Sequence, residues 1–351
     1  MLHIVHVIGR MPGDGTQRQL AGMLVSAHGR IWDATLAVLR AGDPLANEVA
    51  DAGVPVIGFA GRDADPRRSI WLRKLINGAD VVHSSLWGAN VYARVVAGTV
   101  RPRPAVVISE RSVEDFRRPA RRKVDHALRR LTDEYIANSS DVAEFVVRAH
   151  GVSAQRVTVI RNGIDRSIFF PKRSRDREGP ARLGSVGRLI PEKGLDVLLA
   201  AMPEIVARQP AELTVLGDGP ERTALERKAR GLPVVFAGYV GTPSEVASFL
   251  RSLDVFIMPS RWEGLPNALL EALACGVTVV ATDVPGMREA AGGEALLVPS
   301  DQPTALADAV CGALSSPQRP QKVSLNSFED VATAHLKVFE RAVERGTSTS
   351  R

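Results

Sequence analysis

The chain has 351 residues, of which 45% are hydrophobic and 24% are charged, and its formal net charge is +6. This composition is typical of an ordinary folded protein, and the length exceeds what one hydrophobic core usually serves, so we expect two domains. The two cysteines exclude a disulfide framework, and no apolar run is long enough to predict a membrane-spanning helix. These features predict a cytoplasmic protein.

Short apolar runs rich in β-branched residues recur along the whole chain. The first of them, residues 4–8, lacks a basic leader and a small-residue cleavage site, so we interpret it as a buried strand and not as a signal peptide. The runs in the first half are 4–8, 34–39, 54–59, 81–83, 106–109, 135–137 and 157–160. Those in the second half are 183–186, 213–216, 234–236, 255–258, 277–281 and 296–298. Helical stretches separate many of them, and this alternation predicts parallel sheets covered by helices on both faces.

Much of the excess positive charge lies in one stretch, residues 117–130. Its cations are Arg117, Arg118, Arg121, Arg122, Lys123, Arg129 and Arg130. Three interpretations stay open, namely a solvated basic helix face, peripheral contact with an anionic membrane, and contact with an anionic acceptor. Nucleic acid is not an expected partner, because no aromatic residues interleave these charges.

A polar, charged segment bounded by proline, residues 171–180, divides the chain. Such a composition is typical of a linker between domains. We predict a first domain over 1–170 and a second over 178–325, with a C-terminal helix of about 327–345 packing back on the first. Ligands of doubly wound sheets bind beyond the carboxyl ends of the strands, so two such domains facing each other would form a cleft.

The segment 187–194 follows a predicted strand and precedes a predicted helix. A turn at this place presents backbone N–H groups and a helix N-terminus to an anion. Arg188 and Lys193 can converge on one pyrophosphate and neutralise the charge that builds on a diphosphate leaving group. The alternative is a surface loop whose cations are only solvated.

Two glutamates follow the predicted strand 255–258. Glu263 lies in the loop 259–267, and Glu271 lies in the helix that comes after it. A carboxylate can accept hydrogen bonds from two vicinal hydroxyls, so the pair could hold two different sugars of one donor. The alternative is that Glu263 only caps the helix N-terminus and that Glu271 is an ordinary helix residue.

Taken in order, these segments resemble the retaining glycosyltransferases of family 4. The resemblance is dense over about residues 133–300 and looser over the first 130 residues. The segments that carry it are 137–139, 160–165, 187–194, 217–220, 236–240, 263–271 and 282–289.

The resemblance implies a GT-B fold, an α/β architecture in which two doubly wound Rossmann-like domains face each other across a cleft. It implies that the second domain binds the nucleotide sugar and that the first lies on the acceptor side. Arg188 and Lys193 would bind the diphosphate, Glu263 the transferred sugar and Glu271 the ribose. The other implied donor-binding residues are Gly15, Gly187, Gly217, Gly238, Gly264, Leu265, Pro266 and Asn267.

The first half departs from the family pattern in two places. The loop 12–20 resembles the family's Gly-Gly-x-Glu loop, but Asp14 stands for the first glycine and Gln17 for the glutamate, while Gly15 is kept. Many members carry a histidine near the acceptor, and the matching segment 107–116 has none.

Three residues are candidates for the acceptor side. Glu110 or Arg111 takes the place of the missing histidine, or the two form a salt bridge at a strand end. His83 lies in a segment similar to the family's strand with two histidines, where it is either structural or on the acceptor side.

The function that the resemblance implies is retaining transfer from a UDP- or GDP-type sugar to a hydroxyl acceptor. The acceptor would belong to cell-envelope polysaccharide, glycolipid or secondary-metabolite biosynthesis, and no metal or other cofactor would be required. Residues 63–65 have the Asp-x-Asp spelling of metal-dependent glycosyltransferases, but we interpret them as a turn. The alternatives are a GT-B sugar-nucleotide epimerase, a phosphorylase, and a nucleotide-sugar-binding protein without catalysis.

Overall fold

Two parallel sheets organise the chain, one of seven strands and one of six. The computed structural model describes residues 1–62, 65–112, 119–171, 179–317 and 325–348. Each sheet belongs to its own unit, the first comprising Met1–Gly163 with Asn326–Arg351 and the second comprising Ile164–Leu325. The prediction of two α/β domains with parallel sheets is therefore confirmed.

Up to residue 163 of the first unit, the described residues form seven strands and six α-helices. The strands are β1 (His3–Ile8), β2 (Asp33–Val38), β3 (Val56–Gly58), β4 (Val81–Ser85), β5 (Ala105–Glu110), β6 (Glu134–Ala137) and β7 (Val157–Val159). The helices are α1 (Gly15–Ala27), α2 (Pro44–Asp51), α3 (Arg67–Ile76), α4 (Trp87–Ala97), α5 (Pro119–Leu128) and α6 (Ser140–Val146). Each strand coincides with an apolar run of the sequence, because both faces of a covered parallel sheet are buried.

The strand order of this sheet is β3-β2-β1-β4-β5-β6-β7, so the chain changes direction across the sheet between β3 and β4. Right-handed crossovers then place α1 and α2 on one face and α3 to α6 on the other. The buried residues agree, since Leu20 and Leu24 of α1 belong to one apolar cluster and Leu72 and Ala93 of α3 and α4 to another.

In the second unit, the described residues form six strands and six α-helices. The strands are β8 (Ala181–Val186), β9 (Ala211–Leu216), β10 (Val234–Gly238), β11 (Val255–Met258), β12 (Thr278–Thr282) and β13 (Leu296–Val298). The helices are α7 (Leu195–Arg208), α8 (Arg222–Lys228), α9 (Pro243–Leu250), α10 (Asn267–Ala274), α11 (Met287–Ala291) and α12 (Pro303–Ser315). The strand order is β10-β9-β8-β11-β12-β13, which places a change of chain direction beside β8 and β11.

The last helix, α13 (Phe328–Ser348), returns to the first unit. Phe339 is fully buried, and its ring packs against Trp32 with 5.3 Å between the ring centroids. Arg345 Nε lies 2.7 Å from Glu134 Oε1, which ties the helix to β6 by an ion pair. The helix thus completes the core on the α1 side of the sheet.

The boundary between the units falls at residue 163 and not at 170 as the sequence suggests. Ile164 and Phe169 are buried in the apolar core of the second unit, which is why the segment after 163 belongs there. On the first-unit side, the Gln19 side chain donates to Gly163 O at 2.9 Å and accepts from Gly163 N at 2.8 Å. Residues 172–178 of the predicted linker lie outside the described residues.

Among the described helices, none is both long enough and apolar enough to cross a bilayer. Cys275 and Cys311 are both buried and free.

Candidate active site

The loops at the carboxyl ends of β8 and β11 in the second unit meet at Gly194. This residue has φ 62° and lies between the short helical turn Pro191–Lys193 and the first residue of α7. A Cβ at this position would lie 2.0 Å from Pro259 O, so only glycine allows the two loops to approach so closely. The contact brings the turn that carries Lys193 against the loop that carries Glu263.

The loops after β8, β9 and β10 are also in backbone contact. Gly217 has φ 134°, and a Cβ there would lie 1.8 Å from Gly187 O. Gly217 N donates to Gly238 O at 2.8 Å, and Leu189 N donates to Asp218 O at 2.9 Å. Three of the predicted donor-binding glycines, Gly187, Gly217 and Gly238, therefore lie at one edge of the sheet.

Lys193 and Glu263 form an ion pair across the contact at Gly194. Lys193 Nζ donates to Glu263 Oε1 at 2.5 Å, and Ser260 Oγ donates to the same oxygen at 2.8 Å. The side chains are 21% and 11% exposed, so both charges stay partly accessible to a ligand. The two residues were assigned from the sequence to different parts of a donor, and the structure shows that they touch.

Arg188 is exposed beside this pair. A Cβ on the neighbouring Gly187 would lie 3.8 Å from the Lys193 side chain, which places the Arg188 backbone next to that lysine. No residue in the described part of the chain forms an ion pair with the Arg188 guanidinium. Arg188 and Lys193 therefore provide two neighbouring cations, of which Lys193 is shared with Glu263.

The remaining predicted donor-binding residues follow Glu263 directly. Gly264 and Asn267 are partly buried, whereas Leu265 and Pro266 are buried. Helix α10 begins at Asn267 and carries Glu271, which is also partly buried. The two glutamates thus lie on different elements, Glu263 in the loop and Glu271 in the second turn of the helix.

Three predicted residues of the first unit, Gly15, Glu110 and Arg111, lie at the carboxyl ends of its strands or in the segments that follow. Gly15 is the first residue of α1. Glu110 ends β5 and is buried, and its Oε1 accepts from Asn90 Nδ2 at 3.1 Å. Arg111 Nη1 donates to Asn162 Oδ1 at 2.8 Å, and burial lowers the pKa of Arg111 to about 10. Each of the last two residues thus has an amide partner.

His83 lies in the core and not at the sheet edge. It is 1% exposed, and its ring nitrogens lie 2.9 Å from His6 Nδ1 and 2.8 Å from Ser109 Oγ. Both polar atoms of the ring are therefore occupied inside the protein. This geometry fits the structural interpretation of His83.

His83 belongs to a cluster of three buried histidines with His6 and His335. Burial lowers the pKa of His6 and of His335 to about 3 and holds that of His83 well below its usual range. The neighbouring histidines and the Arg111 guanidinium depress the pKa of His83 further. All three rings are neutral in the folded state at neutral pH.

We expect acid to destabilise the first unit through this cluster. In the unfolded chain each histidine binds a proton below about pH 6.5. In the folded chain His6 and His335 stay neutral to about pH 3, and the pKa of His83 also lies well below its usual range. Unfolding therefore takes up protons, and stability falls as the pH drops through 6.5, by about 1 kcal/mol per histidine between pH 7 and 5.5. Urea unfolding followed by tryptophan fluorescence at several pH values measures this. In the variant His335→Leu, the number of protons taken up on unfolding should fall by one. An unchanged number would contradict the prediction.

Two family models together match most of this chain. The family model described as Glycosyltransferase Family 4 matches residues 13–168, and the model described as Glycosyl transferases group 1 matches 180–316. The D-inositol 3-phosphate glycosyltransferase 2 of Catenulispora acidiphila is 30% identical over 78% of this chain and 68% of its own length. This chain belongs to glycosyltransferase family 4.

Other relatives of this glycosyltransferase match over a smaller part. The GDP-mannose-dependent alpha-(1-6)-phosphatidylinositol dimannoside mannosyltransferase of Mycobacterium tuberculosis is 33% identical over 49% of this chain and 47% of its own length.

Among solved structures, Anabaena HepE in complex with UDP-glucose superposes with a TM-score of 0.80 at 17% identity, covering 99% of this chain and 100% of that one. The GT-B fold is therefore confirmed.

Sequence reasoning missed Arg261, which organises the site of this glycosyltransferase. Its guanidinium donates to Asp196 Oδ1 at 3.0 Å and Oδ2 at 2.9 Å, and to Asp301 Oδ1 at 2.7 Å. Its backbone N–H donates to Glu192 O at 2.8 Å. Arg261 thus joins the loops after β8, β11 and β13. The available signal in the sequence was that Arg261 is a basic residue two positions before Glu263.

Leu86, which was also missed, has φ 74° directly after β4. A branched side chain at positive φ is strained, and such strain is concentrated at functional sites. The residue is exposed and lies at the same sheet edge as Glu110. No pattern in the sequence indicates this conformation.

Two predicted sites fall partly on residues that are not described. Arg117 and Arg118 of the basic stretch lie outside the described residues, whereas Arg121, Arg122 and Lys123 lie on α5. Asp63 and Ala64 also lie outside them, and the described Asp65 is bound by the Arg67 guanidinium. Over the ranges that the structure describes, no three His, Cys, Asp or Glu side chains are grouped to hold a metal ion.

Proposed function

We propose that this glycosyltransferase moves a sugar from a nucleoside diphosphate sugar to a hydroxyl acceptor, with retention of the anomeric configuration. The observation that carries the proposal is the Lys193–Glu263 pair, with Arg188 beside it, at the carboxyl edge of the second sheet. Ligands of doubly wound sheets bind at this edge. A cation pair for phosphates and a carboxylate for hydroxyls match the two chemical parts of such a donor.

Donor binding changes the contacts of Lys193 and Glu263. In the free protein the ammonium group neutralises Glu263, and a bound diphosphate supplies that ammonium group with a second anion. The Glu263 carboxylate then accepts hydrogen bonds from hydroxyls of the transferred sugar. Ser260 keeps the carboxylate oriented during this exchange, because its hydroxyl donates to the same oxygen.

In the reaction itself, the bond between the anomeric carbon and the diphosphate oxygen breaks. The bond between the anomeric carbon and the acceptor oxygen forms on the same face of the sugar, and the acceptor proton passes to the departing phosphate. The products are the glycoside and the free nucleoside diphosphate. Arg188 and Lys193 stabilise the negative charge that grows on the leaving group, which is the largest contribution expected from a preorganised site.

The acceptor side of the proposal rests on Glu110 and Arg111. Asn90 orients the Glu110 carboxylate at the end of β5, where it can accept a hydrogen bond from an acceptor hydroxyl. Relatives whose names include D-inositol 3-phosphate and phosphatidylinositol dimannoside support a polyol or glycolipid acceptor. A place in cell-envelope glycolipid biosynthesis follows from such an acceptor.

The donor screen tests the proposal. Because one relative is named for GDP-mannose and HepE was solved with UDP-glucose, we expect a UDP- or GDP-sugar. The protein is incubated with UDP-, GDP-, ADP- and dTDP-sugars, and both binding and slow hydrolysis are measured. If the protein binds none of these donors, the proposal is overturned.

We expect activity to be independent of metal ions. Arg188 and Lys193 supply the positive charge that a divalent cation supplies in metal-dependent glycosyltransferases. Turnover with and without excess EDTA should differ by less than about twofold, which corresponds to less than about 0.4 kcal/mol in the barrier. Loss of turnover that Mn²⁺ or Mg²⁺ restores would contradict the prediction and would favour a metal site at residues 63–65.

A further inference from the structure

Helices α3, α4 and α5 form one layer on the first unit's sheet, with α4 in the middle. The Ser69 and Tyr92 hydroxyls lie 2.9 Å apart and join α3 to α4. Trp87 Nε1 donates to Asp125 Oδ2 at 3.0 Å, and Arg94 forms an ion pair with Asp125, which joins α4 to α5. The three helices therefore present one continuous outer surface, which we call the helix-layer surface.

This surface is cationic and offers no exposed carboxylate of its own. The only acidic residue of the three helices, Asp125, is fully buried and neutralised by Arg94. Exposed cations stand on both outer helices, namely Arg73 and Lys74 on α3 and Arg122 and Lys123 on α5. The excess charge of the sequence thus extends well beyond the stretch 117–130.

One of these exposed cations, Arg122, opposes the stability of its own helix. Arg122 lies in the first turn of α5, which has no acidic residue, whereas Arg73 and Lys74 lie in the last turn of α3. Positive charge at a helix N-terminus is unfavourable, because the helix dipole puts its positive end there. The position of Arg122 is explained by attraction to something outside the protein better than by helix stability.

Large apolar side chains lie among the cations. Each helix exposes one of them: Ile70 is 59% exposed on α3, Val95 is 49% exposed on α4 and Val124 is 36% exposed on α5. Cations alone are sufficient to bind a nucleic acid. A lipid surface binds both kinds of group, with the charges at the head groups and the apolar side chains at the acyl boundary.

We propose that the helix-layer surface docks on an anionic phospholipid bilayer. The inference does not depend on the donor or on the chemistry of the second unit. It assigns the positive charges to lipid head groups and gives Ile70, Val95 and Val124 a shallow insertion between them. Docking would hold the carboxyl edge of the first sheet, where α4 begins, beside the membrane.

Sedimentation with vesicles tests the proposal on the full chain. We expect binding to phosphatidylcholine vesicles that contain phosphatidylglycerol, weaker binding as the ionic strength rises, and no binding to phosphatidylcholine alone. The variant Arg122→Glu/Lys123→Glu should lower the partition coefficient at least about 30-fold, the effect of two cations at an anionic surface. Circular dichroism melting confirms that each variant is folded.

Two matched controls separate docking from general charge and hydrophobicity. Arg227→Glu/Arg230→Glu changes the net charge equally at exposed positions of the second unit and should leave binding nearly unchanged. Ile70→Ser should weaken binding about threefold to tenfold, whereas Val235→Ser, at a residue 60% exposed in the second unit, should not.

Three outcomes would overturn the proposal. One is an equal loss of binding in the two charge-reversal variants, because the effect would then be one of net charge alone. Another is equal binding to vesicles with and without phosphatidylglycerol. The third is tighter binding to duplex DNA than to anionic vesicles at the same ionic strength, which would assign the surface to nucleic acid.

Discussion

Lys193→Ala should lower kcat by on the order of 10²-fold or more, the effect of losing one preorganised charge donor at a developing anion. The lysine lies within 2.5 Å of Glu263 and next to the exposed Arg188, so its loss halves the positive charge available to the leaving diphosphate. Arg188→Ala should act on the same scale, since the charge that builds on the diphosphate in the transition state is divided between the two cations. Steady-state kinetics with the donor found in the screen measure both effects.

Folding should respond differently in the two variants. Arg188 is exposed, and its loss should change the free energy of unfolding by less than about 0.5 kcal/mol. Lys193→Ala leaves the Glu263 carboxylate with Ser260 but without its cation, at a cost of about 1–2 kcal/mol. Lys228→Ala, at an exposed lysine of α8, is the matched control and should keep wild-type kinetics. Wild-type turnover in either site variant would refute the assignment of the two cations.

Glu263→Gln should lower kcat more than it raises KM. The transferred sugar changes shape and charge as its bond to the diphosphate breaks, so hydrogen bonds from the Glu263 carboxylate can strengthen in the transition state. An amide in this place also loses the ion pair with Lys193, which then binds free nucleoside diphosphate at least as well as before. We expect kcat to fall by on the order of 10²-fold.

Glu271→Gln should have the opposite signature. The ribose is the same in the ground state and in the transition state, so hydrogen bonds to it contribute uniform binding. Their loss should raise the donor KM and weaken nucleoside diphosphate binding by about tenfold, while kcat changes little. Because Glu271 lies in α10 and Glu263 lies in the preceding loop, the two substitutions act on separate elements.

Calorimetric binding of the nucleoside diphosphate together with steady-state kinetics distinguishes the two roles. Should Glu263→Gln lose affinity for the nucleoside diphosphate while Glu271→Gln keeps it, the roles are reversed. Should neither variant change kinetics or binding, the pair is structural, and the proposed function loses its main support. Glu226→Gln, on the exposed face of α8, is the control for loss of one carboxylate from the second unit.

Much of the architecture could be predicted from the sequence, because the patterns that indicate strands and helices lie in short segments of the chain. Each strand of a covered parallel sheet is a short apolar run, so the thirteen runs were recognisable one at a time. The order of the motifs after residue 133 likewise identified the family without any knowledge of distances. The positions of Arg188, Lys193, Glu263 and Glu271 after their strands followed from the same local pattern.

The tertiary structure alone decided which of these residues touch. The Lys193–Glu263 pair joins residues 70 positions apart, and it exists because Gly194 lets two loops come into backbone contact. Arg261 also bridges three loops, and its place two residues before Glu263 does not by itself distinguish it from a solvated arginine. His83 was ambiguous until its burial beside His6 was known, since a histidine in a strand can face the core or the sheet edge. Contacts between distant segments depend on how the strands are ordered in the sheet, and that order is a property of the whole fold.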